Sequence, residues 1–292
     1  MKKVVAVWIL LSMIWGSTWV FIKLGLRDLP PLTFAGLRFL IASIILTVIV
    51  RFRGGRLPRD RQQLFWLAAT GMISITINYG LVFWGETRIS SGLAAVLQAT
   101  IPVFGIVIAH FLLPTERLTW RKLTGILIGF AGVGIIFLDQ IRIDGRAGLE
   151  GSLALLLSSI CIANGNVLIK AKLQRLDPGV IAAGQMTAGF PPLLMAGWWW
   201  EGSPLDLRWT PLTIAALLYL ALVGSAIAFL LYYWMVTKIE VTKTMLISLV
   251  IPVVALLIGA TTIGEQISLS ILVGSAAIIG GIALILVNRR PA

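Results

Sequence analysis

Ten apolar runs, most of them long enough to cross a bilayer as a helix, constrain this sequence more than any other feature. A hydrocarbon core about 30 Å thick needs roughly 20 residues in helical form. The runs cover residues 4–24, 33–50, 64–85, 91–112, 121–138, 149–170, 179–199, 211–234, 241–262 and 269–287. Backbone groups in lipid must bond within their own helix or within a closed barrel, and the alternation typical of barrel strands is absent. The sequence therefore predicts an all-α membrane protein with ten transmembrane helices.

Composition and charge support a membrane protein and argue against nucleic acid as a partner. Of the 292 residues 58% are hydrophobic and only 12% are charged, whereas soluble domains carry about a quarter charged residues. The net charge of +12 comes from short basic clusters between the apolar runs, where they anchor loops at a membrane surface. The single cysteine, Cys161, excludes an intramolecular disulfide.

The basic residues also predict the orientation. With the N-terminus inside, 17 of the 24 lysines and arginines fall in cytoplasmic loops and five in outer loops. This bias places both termini in the cytoplasm of a multi-pass protein of the cell (inner) membrane. The run after Lys2 and Lys3 is expected to be the first span and not a cleaved leader, because no cleavage site follows it.

The second half of the chain repeats the first. Ile101-Pro102-Val103 recurs as Ile251-Pro252-Val253, and Glu116 and Gly132 are matched by Glu265 and Gly281 at an almost equal offset. These matches predict two five-helix repeats, residues 1–140 and 141–292. Because five is odd, the second repeat enters the membrane inverted, which is the architecture of alternating access.

The same motifs resemble the drug/metabolite transporter superfamily, and its EamA-type permeases in particular. They are a mid-span proline, a glutamate at the next turn and a glycine-spaced following helix, together with Trp15-Gly16-Ser17-Thr18 in the first span. The positions are Pro102, Glu116, Gly125, Gly129 and Gly132, then Pro252, Glu265, Gly274 and Gly281, with Ile278 departing from the glycine spacing. The resemblance implies ten helices, a central cavity between the halves, and export of amino acids, drugs or other metabolites.

Polar and aromatic residues inside the spans are candidates for binding a solute, since such residues tend to face the interior of a bundle. The predicted substrate-binding residues are Trp15, Ser17, Arg38, Asn78, Tyr79, Gln98, Asn164, Asn166, Tyr232 and Met245, and the predicted hinges are Pro102 and Pro252. The alternatives are that the polar groups only bond neighbouring helices and that the prolines are passive kinks. Arg38 either pairs with a substrate carboxylate or caps a helix or meets lipid phosphate. Lys23 and Lys170 are expected to extend to the membrane interface.

No cofactor or metal is expected, and all twelve acidic residues lie at span ends or in loops. A proton relay usually needs a buried carboxylate or histidine, so transport is expected not to depend on a proton gradient. The predicted function is a secondary transporter, not an enzyme, that moves a small neutral or zwitterionic metabolite, such as an aromatic or other apolar amino acid, out of the cell. The alternatives are an exporter of cationic drugs or of nucleoside- or sugar-type metabolites, and, in a second class, a channel or a membrane-embedded enzyme. The expected partners are the substrate and the lipid bilayer, and the sequence leaves the oligomeric state open.

Overall fold

The computed structural model describes residues 2–113, 119–143, 145–203, 207–239, 244 and 247–286. These residues form ten helical spans. They are α1 (Lys2–Gly25), α2 (Pro31–Phe52), α3 (Arg61–Glu86), α4 (Ser91–Leu112), α5 (Trp120–Ile143), α6 (Gly145–Leu173), α7 (Pro178–Glu201), α8 (Pro211–Ala221, Leu222–Ile227 and Ala228–Lys238), α9 (Ile247–Thr262) and α10 (Leu269–Leu286). The predicted ten-span, all-α fold is confirmed. Met245 and Glu116 lie outside the described residues.

Several spans begin at residues that are suited to start a helix. Asp177 accepts hydrogen bonds from the amides of Gly179 (2.8 Å) and Val180 (3.3 Å) at the start of α7, and Thr210 accepts from the amide of Thr213 at the start of α8. Proline occupies the first turn of both helices, where its missing N–H costs nothing. The sequence thus marks these helix starts chemically as well as by hydropathy.

The helices pack as two equivalent halves, α1–α5 and α6–α10. Helix α2 packs on α7, and α5 packs on α10. The contact of α1 with α9 corresponds to that of α6 with α4, and the contact of α3 with α7 corresponds to that of α8 with α2. The contacts α1–α9 and α3–α7 therefore each recur with the halves exchanged, and the contacts α2–α7 and α5–α10 are their own counterparts. This pattern is consistent with the predicted inverted repeats.

Glycines allow α5 and α10 to approach closely. A Cβ on Gly132 would lie 2.6 Å from the carbonyl oxygen of Gly274, and one on Gly274 would lie 2.8 Å from the carbonyl oxygen of Gly132. Small residues at such positions let helix backbones touch in a membrane. Both glycines therefore serve the packing of α5 against α10.

Both halves contain a wide, π-helical turn at the same place. In α3 it covers Met72–Ile77 and in α8 Leu222–Ile227, an offset of 150. A π-turn leaves backbone carbonyls displaced from the regular helical ladder and is frequent at functional sites. These two segments lie beside the cavity described next.

Candidate functional site

A cavity of about 840 Å³, including its open mouth, lies between the two halves. Residues of α1, α2, α3 and α4 line it from the first half, and residues of α6, α8 and α9 from the second. Seven of the ten predicted binding residues are in its wall: Trp15, Arg38, Asn78, Tyr79, Gln98, Asn166 and Tyr232.

Arg38 brings a buried positive charge to the cavity. Its side chain is 1% exposed, and it donates from Nε to Ser225 Oγ (2.8 Å) and from Nη2 to the Gly224 carbonyl (3.2 Å). Among the described residues Nη1 has no hydrogen-bond partner. The π-turn of α8 therefore holds two of its three nitrogens.

Aromatic rings surround this guanidinium group. Its Cζ lies 5.0 Å from the ring centroid of Tyr79 and 5.1 Å from that of Phe39, distances at which a cation is attracted to the ring face. The rings compensate in part for the water that the arginine has lost. They also limit the space in which an anion can approach Nη1.

Asn78 offers the complementary group. It begins the α-helical turn after the π-segment of α3, and its Nδ2 donates to the Ser74 carbonyl at 3.1 Å. The amide oxygen Oδ1 is buried without a hydrogen-bond partner within the described residues. An unused acceptor of this kind is costly in an apolar setting unless a donor reaches it. A donor group on a bound solute would satisfy it.

Part of the apolar wall of the cavity is aromatic. The ring centroid of Trp15 lies 5.8 Å from that of Phe229 and 5.2 Å from that of Tyr232, and Tyr79 lies 6.5 Å from Phe229. The indole N–H of Trp15 donates to the Gly224 carbonyl at 3.3 Å, the same oxygen that holds Arg38. The wall is therefore fixed to the π-turn of α8.

Gln98 and Asn166 add polar groups to the cavity wall from α4 and α6. Further polar groups that are not among the predicted binding residues come from Thr18, Thr244 and Ser248. The Gln98 side-chain amide donates to the hydroxyl of Ser158, so this glutamine also joins two helices, as its alternative interpretation expects. Just after it, the α-helical hydrogen bonding of α4 is interrupted at Ala99 and Thr100. Pro102 stands at the start of the segment that follows.

Some predicted residues lie elsewhere. Ser17 bonds with the Tyr219 hydroxyl at 2.7 Å on the other side of α1, and Asn164 is not in the cavity wall. Pro252 lies inside an uninterrupted helix, unlike its counterpart Pro102, so the two predicted hinges differ in structure. Lys23 donates to the carbonyls of Glu86, the last residue of α3, and of Ile89 in the turn after it (2.7 and 2.8 Å), because carbonyls at a helix end lack helical partners.

Carboxylates from one half hold helix starts of the other half at one end of the bundle. Glu201 accepts from the amides of Leu32 and Thr33 at 2.8 Å, and Glu265 accepts from the amides of Ser91 (2.7 Å) and Gly92 (3.1 Å). Helix N-termini favour such anions. We call this the carboxylate end; the basic-residue bias predicts that it faces outside.

Asp28 makes a third contact there. It accepts hydrogen bonds from Thr213 and Thr210, which precede or begin α8, and these bonds lower the pKa of its carboxyl, with a smaller contribution from the nearby Arg208. The three carboxylates together close the carboxylate end between the halves.

One acidic residue at a span end is fully buried. Glu86 ends α3, as predicted, but it is 0% exposed, because α1 and the segment after α9 cover this helix end. Its position at a span end is as predicted, and its burial is an additional finding of the structure. Nothing in the local sequence marks this burial, since it depends on packing between distant helices.

Comparison with known proteins gives one family and a group of transporters. The EamA-like transporter family model matches residues 3–138 and again residues 149–287. "Uncharacterized transporter YoaV" of Bacillus subtilis (strain 168) is 30% identical over 283 residues, covering 97% of this chain and 96% of that protein. "Uncharacterized inner membrane transporter YedA" of Escherichia coli (strain K12) is 33% identical over 260 residues, covering 88% and 82%. A protein crystal structure matches with a TM-score of 0.73 at 19% identity, covering 98% of this chain and 97% of that one, which is a likeness of fold alone.

Proposed function

Because the chain belongs to the EamA-like transporter family, we propose that this inner-membrane transporter exports a small neutral or zwitterionic metabolite, with amino acids that carry aromatic or other apolar side chains as its preferred class. The cavity between the halves is the proposed binding site. Its seven wall residues named above are the proposed contacts with the solute.

The observation that carries this proposal is the unsatisfied polar pair in the cavity wall. Arg38 has a free Nη1 donor and Asn78 a free Oδ1 acceptor among the described residues. A substrate carboxylate would satisfy the first through a charge-assisted hydrogen bond, and a substrate ammonium group would satisfy the second. The aromatic wall of Trp15, Phe229 and Tyr232 would then receive an apolar side chain.

Alternating access is supported by the two-fold arrangement of the halves. The carboxylate end is closed by hydrogen bonds that join the halves through side chains and backbone amides, with no covalent link. Such bonds can break when the halves rock and re-form when they return. Inverted repeats supply an equivalent packing that is open on the other side.

The buried arginine favours this substrate class over cationic drugs. A second cation brought near Arg38 in a site of low polarity is repelled, and the described cavity wall contains no carboxylate to offset it. A nucleoside- or sugar-type metabolite, the other alternative, would leave Nη1 without a charged partner.

Binding of a matched pair of ligands tests the proposal. L-Tryptophan and tryptamine differ by one carboxylate, so purified protein should bind the amino acid and bind the amine at least about tenfold more weakly, as expected from a lost charge-assisted bond of roughly 1.5 kcal/mol or more. Isothermal titration measures both. Equal affinity for the two, or tighter binding of the amine, would contradict the carboxylate-binding role and favour the cationic-drug alternative.

A further inference from the structure

The carboxylate of Glu86 is a buried acidic group that the proposed binding site does not use. It is 0% exposed, and neither of its oxygens has a hydrogen-bond partner within the described residues. It lies one turn beyond Val82, which lines the cavity. The group therefore stands between the cavity and the closed carboxylate end.

The charged groups that act on Glu86 come from three directions: Lys23 on α1, Arg38 on α2 and Glu265 after α9. Both cations already donate hydrogen bonds to other groups, Lys23 to two backbone carbonyls and Arg38 to the π-turn of α8. From α6, the neighbouring Gly85 is covered by Leu155 and Gly151, which bring no charge.

These surroundings disfavour a negative charge on Glu86. An ionised carboxylate that is buried without hydrogen bonds has lost its hydration. The charges of Lys23 and Arg38 offset part of this cost, but the nearby carboxylate of Glu265 adds repulsion. A protonated carboxyl removes both penalties. The closed structure therefore accommodates Glu86 in its neutral form.

We propose that Glu86 is a proton-binding site that holds a proton while the carboxylate end is closed and releases it when that end opens. Opening breaks the contacts of Glu265 with Ser91 and Gly92 and admits water to Glu86. A solvated glutamate ionises above about pH 4, so the proton leaves to water and the resulting carboxylate opposes reclosure.

Among the described residues, the corresponding position of the second half carries no carboxylate. Val236 stands at the position that corresponds to Glu86 at the offset of 150, and it is a buried apolar residue. The proposed proton site therefore acts at the carboxylate end, and the equilibrium between the two orientations of the transporter shifts with pH.

The direction of the pH effect on opening follows from the linkage between proton release and opening. If opening releases one proton, raising the pH favours the open state, and the ratio of open to closed molecules increases by up to about tenfold per pH unit. The inference rests on the alternating access of the proposed function, but it can be tested without any substrate.

The test measures the distance across the carboxylate end by pulsed electron spin resonance in liposomes between pH 5 and 8.5. Spin labels are placed on Arg27→Cys and Gln266→Cys, exposed positions in different halves, in a Cys161→Ala background. The long-distance population should grow with pH. Glu86→Gln, a neutral isostere of the protonated acid, should keep the short distance at every pH, while Glu86→Asp should restore the dependence.

Glu201→Gln is the matched control, since it weakens another closing contact at the same end but leaves Glu86 and the charges around it in place. This variant should have a smaller short-distance population at every pH, and that population should depend on pH as steeply as in the wild type. Two results would overturn the proton site alone. One is a wild-type distance distribution that does not change with pH although both distances are populated. The other is a Glu86→Gln variant whose distance distribution depends on pH as steeply as in the wild type. A short distance at every pH in all variants would contradict opening of this end, and with it alternating access.

Discussion

Replacing Arg38 by Gln removes the positive charge from the cavity and keeps a side chain that can still donate to the π-turn of α8. For a zwitterionic substrate the loss is one charge-assisted hydrogen bond, worth about 1.5–3 kcal/mol. This corresponds to a Kd that increases by about 10- to 150-fold. The stability of the ligand-free protein should change less, because two effects oppose each other. The bonds to Ser225 and Gly224 are weakened, but the cost of burying a cation without a carboxylate partner disappears.

The assay pairs isothermal titration with L-tryptophan and thermal unfolding of the ligand-free protein. The matched control is Gln185→Met, since Gln185 occupies the position in α7 that corresponds to Arg38 in α2. Gln185 is equally buried and accepts a hydrogen bond from Tyr233, but it does not line the cavity. The Gln185→Met variant should have a lower melting temperature and an unchanged Kd for L-tryptophan. If Arg38→Gln changes the Kd by less than about twofold while Gln185→Met changes it more, the reasoning from the free Nη1 atom is refuted.

Three further predictions follow from other contacts. Asn78→Ala and Gln98→Ala should each raise the Kd by about 2- to 12-fold, consistent with a net hydrogen bond of roughly 0.5–1.5 kcal/mol; reduced stability with an unchanged Kd would make these amides links between helices only. Gly132→Ala should destabilise the protein by about 1–3 kcal/mol, because its Cβ would lie 2.6 Å from the Gly274 carbonyl oxygen, whereas Gly134→Ala, which meets nothing within 4 Å, should be neutral or stabilising in thermal unfolding. In intact cells with Cys161→Ala, an impermeant thiol reagent should label Ser203→Cys and not Arg56→Cys; labelling of both or of neither contradicts the predicted orientation.

The sequence predicted the fold well because its signals are local and repeated. Each apolar run predicts one helix, and the recurrence of the Ile-Pro-Val motif at an offset of 150 predicts that the second half repeats the first. The cavity was harder to predict, because residues two positions apart on a helix lie about 200° apart around its axis. Trp15 and Asn166 therefore face the cavity while Ser17 and Asn164 do not, and hydropathy cannot distinguish between such neighbours.

Features that depend on contacts between distant segments had no sequence signal. The π-turn at Met72–Ile77 contains neither proline nor glycine, so nothing marks it locally. Glu86 looks like an ordinary polar residue at a span end until α1 and the segment after α9 cover it. Its burial follows from the way the two halves close on each other, which a single apolar run cannot reveal.

Counterexchange is the most direct test of transport by one cavity that faces each side of the membrane in turn. Liposomes with the purified protein are loaded with unlabelled L-tryptophan or with buffer, and the initial uptake of labelled L-tryptophan is measured at equal pH on both sides. Because a loaded carrier returns through the same cavity, internal substrate should accelerate uptake, and Arg38→Gln should lose most of this acceleration at low substrate concentration. Uptake that is equally fast into loaded and unloaded liposomes would identify an open pore and contradict alternating access.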